Sequence, residues 1–168
     1  MAGALIVTAE LGGADLARLD ELRRRHYPPE RNQLPAHLTI FHALPPSAEA
    51  EARRRLALIA AGPPPRAILA GLLDLGSGVA FRVASDDLDA IRAELADAFH
   101  GSLTAQDSSG WRPHVTIQNK VEPAVARTLL RQLERDFTSR PLAISGLGLH
   151  RYADGPWDTL ARYAFRGI

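Results

Sequence analysis

Apolar residues recur along the chain with two periods, one typical of strands and one typical of helices. Runs that alternate every second residue and are rich in β-branched side chains predict strands, whereas apolar positions three or four residues apart predict helices. Glycine and proline mark most boundaries between these segments. The pattern predicts strands at residues 4–10, 37–44, 66–75, 79–84, 114–120, 142–152 and 157–165, and helices at residues 15–26, 47–61, 85–99 and 123–137.

The order of these elements repeats once along the chain. Strand, helix, second strand, helix and hairpin occur twice if the strand at 79–84 both closes the first unit and opens the second. The chain length of 168 residues suits one compact domain or two close lobes. We therefore predict one domain over residues 1–168 with approximate repeat units at residues 1–78 and 79–168.

Two of the predicted strands begin with the same tetrapeptide pattern, His37-Leu38-Thr39-Ile40 and His114-Val115-Thr116-Ile117. Side chains alternate between the two faces of a strand, so each histidine shares a face with its threonine while the apolar residues face a core. A duplicated unit most simply places the two strands side by side about a pseudo-twofold axis. Both His-x-Thr faces are then expected in one cleft.

A cleft with two imidazoles and two hydroxyl groups has the groups needed to hydrolyse a cyclic phosphodiester. The reaction requires a base to take a proton from water, an acid to protonate the leaving ribose oxygen, and donors to the phosphoryl oxygens. Imidazole titrates near neutral pH, so one histidine can act neutral and the other protonated. This chemistry requires no metal ion or cofactor, and the motifs have no nearby His/Asp/Glu cluster with ligand spacing.

The paired motifs resemble the His-x-Thr/Ser-x signature of the 2H phosphoesterase superfamily, and particularly its bacterial 2′-5′ RNA ligase-like (LigT-like) cyclic phosphodiesterases. The resemblance spans nearly the whole chain. It implies an α+β fold, in which a bilobal duplicated unit has antiparallel-rich sheets around a central cleft and helices packed outside. One departure is that the first strand continues as Phe41-His42-Ala43-Leu44, where many ligase-type relatives have a more uniformly apolar ending.

The resemblance also implies an activity and roles for the motif residues. The activity is metal-independent hydrolysis of 2′,3′-cyclic phosphates of RNA ends or nucleotides, in some members with 2′-5′ RNA ligation. His37 and His114 correspond to the two catalytic histidines, and Thr39 and Thr116 to the two phosphate-binding hydroxyls. We assign His37 as general acid and His114 as general base, roles that the orientation of the substrate could exchange.

Strand alternation adds weaker candidates for substrate binding. Arg112, Gln118 and Lys120 share parity with His114 and are expected to border the cleft. Tyr152, at the end of the strand 142–152, is a further candidate for contact with a phosphate or a base.

Other polar and aromatic residues have simpler interpretations or alternatives. Trp157 and Phe41 could stack on a base, although aromatic residues at alternating positions more often belong to a core. His42 has the opposite parity to His37 and is expected to face away from the cleft. The run Arg23-Arg24-Arg25 is interpreted as an ordinary exposed helix face, and the polar loop at 101–112 as a mobile lid.

Composition limits the cellular setting and the partners. A net charge of +1 is too small for a protein that tracks the phosphates of long duplexes, so duplex DNA is not an expected partner. The short N-terminal apolar run resembles neither a signal peptide nor a membrane span. The absence of cysteine fits a reducing cytoplasm. Because both motifs lie in one chain, we expect a monomer.

Two alternatives remain at this stage. The first is a nucleotide- or RNA-end-binding module that kept the fold and lost turnover. The second is a metal-dependent hydrolase, which full activity in excess chelator would dispose of. Two histidines in equivalent positions favour the enzyme over a pure binder, which has no need for an acid and a base together.

Overall fold

Eight strands form one antiparallel sheet within residues 3–167, the part of the chain that the computed structural model describes. The sheet curls into a half-barrel, and the helices pack on its outer face. The strands are β1 (Leu5–Leu11), β2 (Leu38–Leu44), β3 (Ala67–Asp74), β4 (Val79–Ala84), β5 (His114–Gln118), β6 (Arg140–Leu142), β7 (Ile144–Tyr152) and β8 (Trp157–Ala164). The helices are α1 (Gly13–His26), α2 (Glu49–Ala60), α3 (Asp86–Ala98), α4 (Ala105–Ser108) and α5 (Pro123–Asp136).

This architecture is the α+β, 2H phosphoesterase-like fold that the resemblance implied, with one continuous sheet rather than separate ones. Besides two 3-10 turns, Pro29–Arg31 and Pro46–Ala48, the pattern did not predict β6 and α4. Each is three or four residues long, too short to show a period, and β6 contains Pro141. Thr104 caps α4 by accepting a hydrogen bond from the Asp107 amide at 3.2 Å.

The strand order β6-β3-β4-β5-β2-β1-β7-β8 puts the two motif strands beside each other at the middle of the sheet. They run antiparallel and share a single ladder pair, Leu38 with Val115. The side-by-side placement predicted from the duplication is therefore confirmed. The predicted unit boundary, between Gly78 and Val79, falls in the β3–β4 hairpin, and the division into repeat units stays a prediction.

The core lies between the sheet and the outer helices. Along β1, Leu5, Val7, Ala9 and Leu11 belong to this hydrophobic core, and the intervening Ile6 and Thr8 are buried as well. The other face of the sheet is concave and carries the polar side chains of both motifs. Each fully buried leucine contributes on the order of 2 kcal/mol to folding.

Helix α1 contradicts the interpretation of the arginine run. Arg24 and Arg25 are exposed and pair with acidic residues one turn earlier, but Arg23 is only 3% exposed. Arg23 lies four residues after the buried Leu19, so helical periodicity turns it toward the sheet. The sequence interpretation treated the three arginines as one exposed group and did not consider that Arg23 lies on the same helix face as Leu19.

The loop before β5 is anchored to β2. The carboxylate of Asp107, 1% exposed, accepts hydrogen bonds from the backbone amides of His42 and Ala43 at 2.9 Å each and contacts the His42 ring at 3.1 Å. A buried carboxylate that satisfies two strand amides resists displacement. Asp107 is therefore a fixed point within this loop, and the mobile lid expected from the polar sequence stays a prediction for the residues around it.

No helix within residues 3–167 is long and apolar enough to cross a membrane.

Candidate active site

His37 and His114 are held by the same hydrogen bond. In each case the ring Nδ1 lies 2.8 Å from the backbone carbonyl oxygen two residues earlier, that of Pro35 for His37 and that of Arg112 for His114. A carbonyl only accepts, so Nδ1 carries the proton and donates it. Nε2 is thus the ring nitrogen left for the substrate: it can accept a proton when the ring is neutral and donate one when the ring is protonated.

The antiparallel pairing brings each histidine toward the threonine of the other motif. With Leu38 opposite Val115, Thr116 lies on the His37 side and Thr39 lies on the His114 side. All four side chains are half-buried. The arrangement places two imidazoles and two hydroxyls at the centre of the concave face, where an anionic group could contact all four.

The His37 ring is partly shielded from water by its neighbours. Its ring packs edge-on against Trp157, with ring centroids 4.8 Å apart. The pKa of His37 is lowered to about 4, chiefly by burial and also by the nearby Arg23, His150 and His114, against the opposing effect of the hydrogen bond to the Pro35 carbonyl. At pH 7 the His37 ring is neutral.

A third histidine, His150, lies behind Trp157 on β7, with ring centroids 5.4 Å apart. Its Nε2 is 2.8 Å from the Thr8 hydroxyl, and its Nδ1 is 3.0 Å from the Thr159 hydroxyl. Burial, followed by the charge of Arg162, lowers the pKa of His150 to about 4, so this ring is also neutral at pH 7. Hydroxyls donate or accept as needed, which satisfies both ring nitrogens.

Gly148 makes room for this cluster. A Cβ at position 148 would lie 2.4 Å from Glu10 Oε1, 2.6 Å from Thr8 Oγ1 and 2.7 Å from His150 Nε2. These distances are below van der Waals contact, so only glycine admits the three side chains over the strand. The polar wall beside His37 therefore depends on the absence of a side chain on β7.

The wall beside His114 is more open. Arg82 on β4 lies directly opposite His114 in the β4–β5 ladder, which places it on the concave face. Its side chain is exposed, and its guanidinium donates to the Ala70 carbonyl at 3.1 Å. Sequence analysis did not select Arg82, because only the strand register shows that it neighbours His114.

Comparison with known proteins gives a family for the whole arrangement. The family model described as the 2′-5′ RNA ligase superfamily matches residues 13–156. The chain belongs to the 2′-5′ RNA ligase superfamily. Comparison with curated protein sequences gives no significant match.

Solved structures in the superfamily's fold include two that cover almost the whole chain. TT0787 of Thermus thermophilus is 17% identical with a TM-score of 0.66 and covers 98% of each chain. E. coli LigT complexed with 3′-AMP is 19% identical with a TM-score of 0.56 and covers 98% of this chain and 99% of its own. At these identities the likeness shows the shared fold.

The remaining candidates in this superfamily member are dispersed. Arg112 is exposed, and Tyr152 is half-buried opposite Trp157 in the β7–β8 ladder. The β4–β5 ladder shifts register between Thr116 and Gln118, which breaks the alternation on which the parity argument relied. Gln118 is buried at 3% exposure, and Lys120 lies beyond β5 with a φ of 61°.

The two aromatic residues considered for base stacking, Phe41 and Trp157, differ in their exposure to solvent. Phe41 is 0% exposed and lies in the core against Phe99, with ring centroids 6.4 Å apart, so it has no access to a base. Trp157 is half-buried beside His37. Of the two, only Trp157 is placed to meet a substrate, on the His37 side of the cleft.

Within residues 3–167, no group of three or more His, Asp or Glu side chains is arranged to hold a metal ion. The polar cluster around His150 contains the hydroxyls of Thr8 and Thr159 and, beside them, the Glu10 carboxylate, which pairs with Arg162 at 3.1 Å.

Proposed function

We propose that this protein hydrolyses 2′,3′-cyclic phosphates of RNA ends or nucleotides without a metal ion. The observation that carries the proposal is the pair of imidazoles, each fixed through Nδ1 to a carbonyl two residues earlier and each next to a threonine hydroxyl. An acid, a base and two neutral donors around one phosphate are sufficient for this reaction. E. coli LigT has been crystallised with 3′-AMP and with ATP, and a nucleotide-sized ligand suits the same fold here.

In the proposed reaction, His37 acts as the base and His114 as the acid. The lowered pKa of His37 keeps its Nε2 free at neutral pH, which favours the reverse of the roles first assigned from the resemblance. Nε2 of His37 takes a proton from water as the water oxygen bonds to phosphorus. The bond from phosphorus to one ribose oxygen breaks, and His114 supplies that oxygen with a proton. Solvent exchange then restores both rings.

The threonines and the neighbouring side chains complete the proposed site. Thr39 and Thr116 donate hydroxyl hydrogens to the two non-bridging phosphate oxygens, where charge builds up during attack. Trp157 packs beside the nucleoside on the His37 side. Joining of two RNA ends through a 2′-5′ linkage is the same displacement with an RNA hydroxyl in place of water.

The proposal is tested by incubating the protein with the four nucleoside 2′,3′-cyclic monophosphates in excess EDTA. We expect turnover that is unchanged by the chelator, with each product resolved as a 2′- or 3′-phosphate. A 2′-phosphate would show that the 3′ oxygen leaves, which is the cleavage that 2′-5′ ligation requires. Binding of nucleotides without turnover of mononucleotides or of cyclic-phosphate-ended RNA would instead support a binding module.

The environment of His37 predicts the pH dependence. Because protonation of the base stops the reaction, kcat/KM is expected to fall on the acid side only near pH 4, the pKa of His37. In Trp157→Ala, water reaches the ring, the pKa of His37 rises toward its ordinary value, and the acid limb moves to higher pH. NMR titration of the His37 ring checks the same shift directly.

Trp157→Phe is the matched control for this experiment, because it keeps an aromatic ring against His37. Its acid limb is expected to stay close to that of the wild type. An acid limb that does not move in Trp157→Ala would contradict the role of burial in setting the pKa of His37.

A further inference from the structure

The two motif strands are unusually dependent on side chains for their relative position. Their ladder contains one residue pair, Leu38 with Val115, and beyond it three backbone carbonyls of the motifs accept hydrogen bonds from side chains outside the sheet. A buried carbonyl without a partner costs free energy comparable to a lost hydrogen bond. The side chains that bond there therefore determine how far the strands separate.

Arg23 supplies the bond to the second motif. From α1, its Nη1 donates to the Thr116 carbonyl at 3.0 Å, and its Nε donates to Asn32 Oδ1 at 2.7 Å. The guanidinium also stacks over the Tyr27 ring, 4.2 Å from its centroid. With 3% of its surface exposed, Arg23 is fixed on three sides.

Arg92 supplies the corresponding bond to the first motif. From α3, its Nε donates to the Ile40 carbonyl at 3.0 Å, and a second donor reaches the Asp107 carbonyl. The guanidinium lies 4.1 Å from the Phe41 ring centroid and 5.7 Å from that of Trp111. The Trp111 indole donates to the Thr39 carbonyl at 3.3 Å, so this motif is held at two consecutive carbonyls.

The two contacts cross between the halves of the chain. Helix α1 precedes β2 in sequence, yet its Arg23 holds β5; helix α3 precedes β5, yet its Arg92 holds β2. The accepting carbonyl is that of the third motif residue, Thr116, in one strand and that of the fourth, Ile40, in the other. Arginine suits both places because its planar group offers several donors in fixed directions and stays charged when buried.

We propose that Arg23 and Arg92 are positioning residues for the reaction. Arg23 acts on Thr116 through that residue's own carbonyl, and Arg92 acts on Thr39 through the next carbonyl, that of Ile40, beside the Trp111 indole that holds the Thr39 carbonyl. The inference rests on the proposed function for its catalytic meaning. Holding the Thr116 carbonyl limits the movement of the Thr116 Cα and hence of its hydroxyl, and holding the Thr39 and Ile40 carbonyls does the same for the strand segment that carries the Thr39 hydroxyl. Phosphate binding tolerates displacements of only a few tenths of an ångström. Neither arginine contacts the phosphate itself.

The first test needs no ligand. Threonine methyl NMR spectra are recorded for Arg23→Lys and Arg92→Lys, since lysine keeps the charge and loses the directed donors. We expect Arg23→Lys to move the Thr116 signal and leave that of Thr39, and Arg92→Lys to do the reverse. Equal movement of both signals in each variant, or movement of neither, would overturn the proposal.

The second test measures coupling in the affinity for a nucleoside 2′-monophosphate, which does not depend on turnover. Arg23→Lys is combined with Thr116→Val and with Thr39→Val in double-mutant cycles, and Arg92→Lys likewise. Crossed coupling of about fivefold or more is expected for Arg23 with Thr116 and for Arg92 with Thr39, and near-additivity for the other two pairs. Coupling without this crossed pattern would show that the arginines stabilise the fold as a whole and do not position particular threonines.

Arg131→Lys on α5 is the matched control, because Arg131 is exposed on an outer helix. Thermal melts verify that each variant is folded at the temperature of measurement. If the wild type binds the nucleotide and shows the crossed pattern but hydrolyses no cyclic phosphate, the proposed reaction fails and the positioning role stands. If the wild type hydrolyses cyclic phosphates but the crossed pattern is missing, the proposed reaction stands and the positioning role fails.

Discussion

His37→Ala and His114→Ala are each expected to lower kcat for 2′,3′-cyclic phosphate hydrolysis by about a hundredfold to ten-thousandfold, the contribution of a placed acid or base. Each substitution removes an Nε2 that no neighbouring group replaces in position. His150 is near Trp157, but both its ring nitrogens already bond to the hydroxyls of Thr8 and Thr159. Initial rates in EDTA at saturating substrate measure the effect.

The matched control is His100→Ala, which removes an exposed histidine just beyond α3. It is expected to leave kcat within about twofold of the wild type, as for a surface substitution away from the site. The double variant of His37 and His114 should lose little more than the worse single variant, because acid and base act in one step. Near-full activity in either single variant would remove that histidine from the mechanism.

Asp107→Ala is expected to lower the free energy of unfolding by about 3 kcal/mol, the largest stability effect that we predict for a single polar residue here. The change leaves the amides of His42 and Ala43 without their carboxylate partner and releases α4 from β2. Urea denaturation at pH 7 measures the loss. Because Arg92 also bonds to the Asp107 backbone, activity should fall along with stability.

The effect of Asp107 should depend on pH in a defined direction. Burial alone raises the pKa of a carboxyl, but the hydrogen bonds from His42 and Ala43 outweigh it, so the pKa of Asp107 lies below its ordinary value. Its stabilisation is therefore fully present above about pH 4 and is lost as pH falls through the folded-state pKa. The difference between wild type and Asp107→Ala should shrink below pH 4.

Asp97→Ala tests whether the effect is specific to burial. Asp97 is exposed on α3, and its removal should change the free energy of unfolding by less than about 0.5 kcal/mol. A difference of similar size for both variants, or a loss at Asp107 that persists unchanged at pH 3, would contradict the account of the buried carboxylate.

Several features of this fold could be predicted because the spacing of apolar residues within each segment indicates a strand or a helix. The alternation in residues 37–44 and 114–120 predicted both motif strands, and the duplicated tetrapeptide predicted that they would be neighbours. The helical period also indicates that two arginines face the core. Arg23 lies four residues after Leu19, and Arg92 lies four after Leu88, so both fall on buried helix faces.

Other features depend on contacts between distant segments. The parity argument assumed regular alternation up to Gln118, but a register shift against β4 interrupts it there, and no local pattern encodes that shift. The loop at 101–112 is polar, yet its Asp107 is buried through bonds to amides more than sixty residues away in sequence. The polar composition of a loop does not indicate which distant backbone amides its side chains will bond.

The sequence by itself determined the family, the strand and helix order, and the four residues of the paired motifs, since these follow from short patterns and their repetition. Only the tertiary structure decided the rest of the site: the burial of His37 against Trp157, the His150 cluster over Gly148, and the arginines that cross to the opposite motif strand. Burial, register and pKa are properties of the assembled neighbourhood. They depend on which distant side chains the fold brings within a few ångströms.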